Sequence, residues 1–551
     1  MYHLVAINCR YSHSCLALFY IRNELATFLP GCRVRISQFS LGDPYYQTLL
    51  TLAGSGADAI FFSVYVWNHG YVRRLIHDLA RIRPELPVVI GGPQAPVLTG
   101  LPPTCTLVRG EIEGVGGQFF RDLQARRLKA EYRAGVSQRF ASPYEANDFQ
   151  GELRHRQIYY ESSRGCPFFC SYCLSSISRG VRHKPLDQVK SELDSILEHE
   201  PPIIKFVDRT FNDDPGRALA IWAHLVSRPG STRCHFEIAP DRFTGEMHTF
   251  LRTVPPNRFQ FEIGIQSLHP PTLAAVNRRM DQEAALDNIR ELVALNTIHI
   301  HVDLILGLPH EDQATFYQGF NRLFRVRPHH IQMGLLKVLP GTEMAARAPE
   351  FGLVFCQEPP YEILATRWLD HETLRELYFF CELVEAFHNN RYFPSLWNYL
   401  ARTGEDAARF FTSLLALARK RDFFSRARTQ KAMSRLLFEL VSAREDGPLL
   451  RELLRYDWLR CGFRYLPSHL RSPSFTTLRR ELRLRLPQNL EGIYSHRERD
   501  EFLKKCQFEY FSGPALAELG LQDDGSGGVV AFLPEESGGV FNHCRVLVLP
   551  G

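Results

Sequence analysis

Residues Glu161 to Ser175 read ESSRGCPFFCSYCLS, and their three cysteines, Cys166, Cys170 and Cys173, stand at a C-x3-C-x2-C spacing. Thiolates are soft ligands that select iron–sulfur clusters or zinc, and a structural zinc or an electron-transfer cluster takes four protein ligands. Three thiolates leave one metal corner open, and an open corner is where substrate chemistry happens. Two plainer readings stand beside this one. A distant fourth ligand such as His183 would close the site into a zinc knuckle, and the cysteines could simply be buried thiols.

Downstream, from 155 to about 345, strand-like and helix-like patterns alternate six times. Strands are expected at 158–162, 203–208, 235–239, 260–266, 299–306 and 331–339, while Leu186, Val189, Leu193, Ile196 and Leu197 line one helical face and 284–295 forms another amphipathic helix. Six such units suit an open, partial (β/α)6 barrel, whose functional groups gather at the carboxyl ends of its strands. The first strand runs into the cysteine loop. The second ends in VDRTFND, with Asp208 and Asn212 at the mouth, although Pro215 in the next turn makes DRTFND an equally good helix start. The third carries Glu237 in FEIAP, the fourth reads FEIGIQS, the fifth VDLILGLPHED and the sixth MGLLKVLPGT.

With Tyr172 as its aromatic residue, CPFFCSYC resembles the C-x3-C-Φ-C signature of the radical S-adenosylmethionine (SAM) superfamily, and the strand-end strings resemble that superfamily's motifs in order. The resemblance implies a 4Fe-4S cluster on Cys166, Cys170 and Cys173, with SAM chelating the fourth iron. It implies SAM contacts for Gln266 of GIQS and for Arg278, for Gly307 and Leu308 beside the adenine, for Tyr172, and for Glu237 at the ribose or aminocarboxyl group. Each has a plainer role as well: Glu237 paired with an arginine, Gln266 capping the barrel, Arg278 packed on an outer helix. The implied chemistry is one-electron cleavage of SAM and hydrogen-atom abstraction from an unactivated carbon, fed by a low-potential reductant such as flavodoxin or ferredoxin.

Upstream, residues 1 to about 130 alternate strands at 4–8, 33–39, 59–66 and 88–91 with helices at 15–28 and 71–82, the pattern of a doubly wound, Rossmann-like sheet. Such sheets bind ligands beyond the carboxyl ends of their strands. There stand VWNHG (66–70), GGPQ (91–94) and VRGEIE (108–113). Their order resembles the cobalamin-binding domain that precedes the barrel in one class of radical SAM enzymes, which implies Asn68, Gly91, Gly92 and Gly110 as cobalamin contacts. The sequence departs from that class at GEIEG (110–114) and lacks a D-x-H-x-x-G motif, so no imidazole from such a motif reaches the lower face of the corrinoid. A vestigial or partner-binding domain is the alternative. Residues 131–154 have no clear periodicity and read as a linker.

Residues 346–551 read as mainly helical, most clearly from 365 to 459, with Cys356, Cys381, Cys461, Cys506 and Cys544 too scattered for a ferredoxin-like second cluster. Between 419 and 505, 21 Lys/Arg outweigh 11 Asp/Glu, most densely in RSPSFTTLRRELRLRL. Such a stretch is a footprint for RNA or another anion, but arginines between leucines more often form the solvated face of an amphipathic element, which is the favoured reading. Glycines at 525–528 and 538–539 suggest a hinge and a small terminal hairpin or edge strands.

At 551 residues the chain has room for about three domains. Its 13 cysteines, an odd number with one tight triplet, suit a reducing cytoplasm rather than a disulfide scaffold. The start, MYHLVAINCRYSH, lacks signal-peptide order, and the longest apolar run, 57–67, is too short to span a membrane, so no membrane association is expected. The expected protein is thus α/β: a Rossmann-like domain (1–130), a linker (131–154), a partial barrel (155–345) and a mainly helical region (346–551). Its expected role is that of a cobalamin-dependent radical SAM enzyme, with C-methylation first and methylthiolation, cyclisation or rearrangement as alternatives. Cys9, Cys15, Cys32 and Cys105 offer the count, without the arrangement, of a methylthiotransferase. A non-catalytic iron–sulfur or zinc protein that binds nucleic acid is the reading from another class. The substrate, small molecule or macromolecule, is not named by these residues.

Overall fold

Consecutive apolar residues, bounded by turns, build strands that are covered on both faces. In the computed structural model, which describes all residues except 138–139, 178–179, 464, 472–477, 492–497, 523–524, 535–543 and 550–551, they form two parallel six-stranded sheets. The first contains β1 (Tyr2–Asn8), β2 (Val34–Ser40), β3 (Ala59–Ser63), β4 (Val88–Gly91), β5 (Cys105–Arg109) and β6 (Glu131–Arg133), in the order β2-β1-β3-β4-β5-β6. β1 and β3 are buried at every position. One face packs Val5, Ile60 and Phe62 under Leu52, Val72 and Leu79; the other packs Leu4, Phe61 and Val89 under Leu18, Leu25 and Phe119.

The stretch expected as a linker begins inside this sheet. Glu131, Tyr132 and Arg133 pair in register with Leu107, Val108 and Arg109, and Ala146–Gln150 forms a short helix. A three-residue edge strand is too short to show alternation, so periodicity could not reveal it. Helix Tyr45–Ala53 and strand β5 are further elements that the alternation of apolar runs does not predict.

The second sheet holds β7 (Ile158–Tyr160), β10 (Ile203–Phe206), β11 (Arg233–Ile238), β12 (Phe259–Gln266), β13 (His299–Leu306) and β14 (His330–Leu335), in the order β14-β13-β12-β11-β10-β7. Between β7 and β10 a small antiparallel hairpin, β8 (Ser163–Cys166) and β9 (Gly180–His183), carries the first cysteine. Burial alternates strictly along β12 and β13. Apolar residues such as Phe261 and Val302 sit under the outer helices, and the polar residues between them face the lumen, which is the open partial barrel that six β/α units predict.

Helices His371–Val384, Pro394–Arg402, Ala407–Lys420, Gln430–Ser442 and Gly447–Arg460 continue the barrel core, with Phe411 against Phe320 and Trp397 against Phe324. Beyond β15 (Val354–Phe355) and β16 (Ile363–Ala365), the tail forms β17 (Gln507–Phe511), β18 (Gly528–Leu533) and β19 (Arg545–Leu549), a three-stranded antiparallel sheet rather than an isolated hairpin. Gly538 and Gly539 lie outside the described residues, as does the first part of the arginine-rich stretch. Its remainder, helix Leu478–Arg485, buries Leu478 and Leu482 and turns Arg480, Arg483 and Arg485 outward, as a solvated face does. Among the described residues no helix is long and apolar enough to cross a membrane.

Candidate functional site

The cysteine loop is braced from below by the residues expected at the barrel mouth. Asp208 is fully buried and accepts from Ser162 N at 2.9 Å and from the Ser162 and Ser163 hydroxyls at 2.6 Å each, pinning the chain where β7 turns into β8. Asn212 bonds both backbone groups of Ala239, at 2.9 and 2.8 Å. Both side chains are consumed by the scaffold and present nothing to a ligand. On the far side Ser171 N donates to Val276 O and Met344 N to Ser171 O, which ties the loop to two further elements.

So held, Cys166, Cys170 and Cys173 line one cavity of about 170 Å³, together with Tyr172, Glu237, Gln266, Arg278, Glu262 and Asp303. Arg278 donates to Gly264 O and approaches Cys170 Sγ at 3.6 Å, while its buried Nε has no hydrogen-bond partner. Burial pushes the Glu237 carboxyl up from 4.5 to about 7, with Arg209 opposing the shift. Four of the six expected SAM contacts thus share a wall with the thiols. Leu308 does not, being fully buried in the core, and Gly307, at φ +92°, packs against Ile363.

Among the described residues no three His, Cys, Asp or Glu groups converge on a single metal ion, and His183 instead faces Asp213 at 3.2 Å. His183, the fourth ligand a zinc knuckle would draw on, is thus engaged by Asp213. A 4Fe-4S cluster takes one thiolate per iron around a shared space, and thiols ringing a cavity fit that demand.

A second cavity of about 780 Å³ lies where the first sheet meets the cysteine hairpin. Gly91, Gly92, Gly110, Glu111 and Glu113 line one side, and Glu161, Arg164, Gly180 and Arg182 the other. Ser175 and Arg209 line both cavities, so the two adjoin. Asn68 is not on this wall: its amide is buried, accepting from Tyr65 N and donating to Ile7 O and Ser63 O. Gly92 is required by the chain itself, because at φ +96° a Cβ would stand 2.7 Å from Val64 O. Gly91 is not so constrained, since its Cβ would meet only Val108 O at 3.7 Å, an ordinary contact. A large cavity with a bare backbone wall at Gly91 and the stacked Tyr65–Trp67 pair beside it suits a flat, bulky cofactor such as a corrinoid.

GEIEG has a role that its sequence did not announce. Arg164 pairs with Glu111 at 3.1 Å, Glu113 at 2.7 Å and Glu161 at 2.8 Å, and Arg182 also pairs with Glu111. Arg164, Arg182, Ser175 and Arg209 were all missed. The one available signal was Arg164 itself, the only cation in ESSRGC, set against the acidic GEIE. Cys9 and Cys15 line the large cavity but Cys32 and Cys105 lie elsewhere, so these four share no wall.

The Radical SAM superfamily matches residues 160–321, and a family described as Protein of unknown function (DUF4080) matches 349–518. The chain is similar to the Cobalamin-dependent radical SAM methyltransferase TokK of Streptomyces tokunonensis, 25% identical over 422 residues that make up 65% of this chain and 61% of that protein. It is similar also to the 2-(S-pantetheinyl)-carbapenam-3-carboxylate methyltransferase of Streptantibioticus cattleyicolor, 25% identical over 409 residues, 62% of this chain and 58% of that protein. The chain thus spans about three fifths of the length of both relatives. Its fold is like that of the Cobalamin-dependent S-adenosylmethionine radical enzyme OxsB in a structure with aqua-cobalamin and S-adenosylmethionine bound, with a TM-score of 0.54 at 14% identity, over 91% of this chain and 83% of that one. The chain therefore carries a radical SAM domain at residues 160–321 and is related to the cobalamin-dependent radical SAM methyltransferases.

Proposed function

We propose that this protein is a cobalamin-dependent radical SAM enzyme of the cytoplasm that transfers a methyl group to an unactivated carbon. The observation that carries the reading is the adjoining of two cavities across Ser175 and Arg209, one ringed by three thiols and the other walled by Gly91 and Gly110. When bound, the cluster and SAM supply one-electron cleavage and hydrogen-atom abstraction, with cobalamin as methyl carrier.

The chain's own residues do the rest. Cys166, Cys170 and Cys173 would hold the cluster, and Arg278 sets a cation 3.6 Å from Cys170 Sγ. Tyr172, Glu237 and Gln266 line the thiol cavity and would contact SAM there. The Arg164 clamp with Glu111, Glu113 and Glu161 holds the first domain against the cysteine hairpin, which keeps the two cofactor spaces in register. Electrons come from a low-potential one-electron donor of the flavodoxin or ferredoxin kind. The substrate enters where the cavities adjoin, so its reacting carbon can meet both.

Anaerobic reconstitution with iron, sulfide and hydroxocobalamin tests the reading. The loaded protein should show iron–sulfur and corrinoid absorbance and should form 5′-deoxyadenosine from SAM under reduction. Failure to retain corrinoid at saturating concentration removes the cobalamin half, and failure to cleave SAM with a full cluster removes the whole.

A further inference from the structure

Below the cysteine cavity the barrel lumen holds a column of histidines that none of the roles above uses. His301 Nε2, on β13, stands 3.1 Å from Asp303 Oδ1, and Asp303 lines the cavity. The rings of His301 and His330 touch, with centroids 4.1 Å apart. His330 Nε2 in turn stands 3.6 Å from Glu385 Oε2, on a side chain that is 56% exposed. Asn389 fixes that carboxylate, donating to Glu385 Oε2 at 2.5 Å and to Ile331 O at 2.9 Å while its own carbonyl accepts from Ile331 N. A side branch joins the column: His235 Nε2 is 3.0 Å from Glu262 Oε2, and Glu262 pairs across the sheet with His301 and also lines the cavity.

Imidazoles and carboxylates at this spacing, running from a cavity wall to an exposed carboxylate, have the composition of a proton path. Two further observations suit that role. His330 Nδ1 and His235 Nδ1 are buried without a protein hydrogen-bond partner, where interior polar atoms are otherwise served by water. The ring states also differ along the column. Burial works against charge on His301, but the Asp303 carboxylate overrides it and holds this imidazole above its ordinary value; burial keeps His330 down at about 3, neutral and able to hand a proton on.

We propose that Asp303 and His301 form a proton-accepting pair on the cavity floor, fed from solvent through Glu385 and His330, which takes up one proton when the cysteine cavity gains one electron. The inference rests on the radical SAM reading. An added electron in a buried, low-dielectric cavity is costly unless a counter-charge accompanies it. Here the electron comes from the external one-electron donor, the proton comes from bulk water, an O–H or N–H bond forms within the pair, and the net charge of the site is unchanged. The groups facing His301 are Asp303 and His299 on its own strand, Glu262 and His235 from β12 and β11, His330 from β14 and Glu385 from the helical region, with His388 beyond.

The test uses the full-length protein with its cluster reconstituted, and reads the reduction midpoint by spectroelectrochemistry between about pH 6 and about pH 9. Above the pH at which His301 loses its proton in the oxidised protein, one proton enters per electron, and each tenfold fall in proton concentration makes reduction tenfold harder, about 59 mV for a one-electron couple. His301→Gln, which keeps a donor toward Asp303 but cannot titrate, should flatten this slope at equal iron content. His330→Phe, which preserves ring packing, should leave the slope but slow cluster reduction by dithionite about tenfold and abolish its solvent deuterium effect. A flat slope in the parent protein, an unchanged slope in His301→Gln, or an unchanged reduction rate in His330→Phe would each overturn the proposal. A chain that assembles no cluster fails at the underlying reading instead, whereas one that cleaves SAM with a flat slope fails only here.

Discussion

Arg164 Nη2 donates to Glu113 Oε1 at 2.7 Å across the junction of the first domain and the cysteine hairpin, with both side chains at most 10% exposed. Arg164 lies two residues before Cys166, so the position of the first cavity thiol is tied to a turn of the neighbouring sheet. Its guanidinium also lies 4.8 Å from the Tyr20 ring centroid and 4.7 Å from that of Phe140, and burial with three carboxylates around it makes it the hub of the interface.

Removing the hub and removing one spoke should differ. Arg164→Met strands Glu113 and takes one partner each from Glu161, which keeps Tyr20, and Glu111, which keeps Arg182, and should cost about 3–5 kcal/mol of stability, the range for an orphaned buried charge. Glu113→Gln leaves Arg164 with Glu111 and Glu161 and keeps a hydrogen-bonding side chain, so about 1 kcal/mol is expected. Urea denaturation of the two variants reads the difference, and equal losses would contradict the hub.

Under the proposed function, alanine at Cys166, Cys170 or Cys173 should each lower bound iron and abolish 5′-deoxyadenosine formation, because all three thiols line the one cavity. Cys356→Ala, half-buried and not on the cavity wall, serves as the control and should match the parent. Iron and sulfide assays beside chromatography of the nucleoside decide it. Cleavage retained by any of the three variants would refute the cluster assignment.

The sequence made the barrel and its cysteines legible because both are local signals. A thiol triplet is read from spacing alone, and β12 and β13 are long enough for their alternation to show. What it concealed was pairing between distant segments. Asp208 looked like a mouth residue until Ser162 and Ser163 were seen to donate to it, and Asn68 looked like a ligand contact until Ile7 and Ser63 took its amide protons. GEIEG looked like a worn cofactor motif, yet its glutamates serve Arg164, 53 residues away for Glu111. Strand β6 escaped because three residues carry no period. Leu308 was carried over by resemblance although an apolar residue after a buried strand belongs first to the core.

Gly91 separates a ligand wall from a chain constraint. An added Cβ there meets only an ordinary contact with Val108 O, so Gly91→Val should fold and cleave SAM but lose corrinoid by narrowing the larger cavity. Gly92→Ala forces a Cβ against Val64 O at a left-handed φ and should instead cost about 1–3 kcal/mol of stability. Corrinoid retained after desalting, compared with thermal midpoints, distinguishes the two. A Gly91→Val protein that still binds corrinoid would move the cofactor away from β4.

Glu237 ties the cavity to pH. Its carboxyl is raised from 4.5 to about 7 chiefly by burial, so the folded protein holds this proton more tightly than the unfolded chain does. The sign follows: the contribution of Glu237 to stability is whole below about pH 4.5, and it is lost as pH rises through about 7, where a buried carboxylate must form. The shift corresponds to about 3 kcal/mol lost by about pH 8. Glu237→Gln has nearly the same shape and never ionises, so its stability should not fall over that interval by this amount. Urea midpoints of parent and variant, taken at about pH 5 and about pH 8, isolate the effect as a difference of differences in which titrating groups remote from the cavity cancel. If both proteins lose stability equally, Arg209, which lies near enough to favour the anion, neutralises the carboxylate and Glu237 is charged at neutral pH.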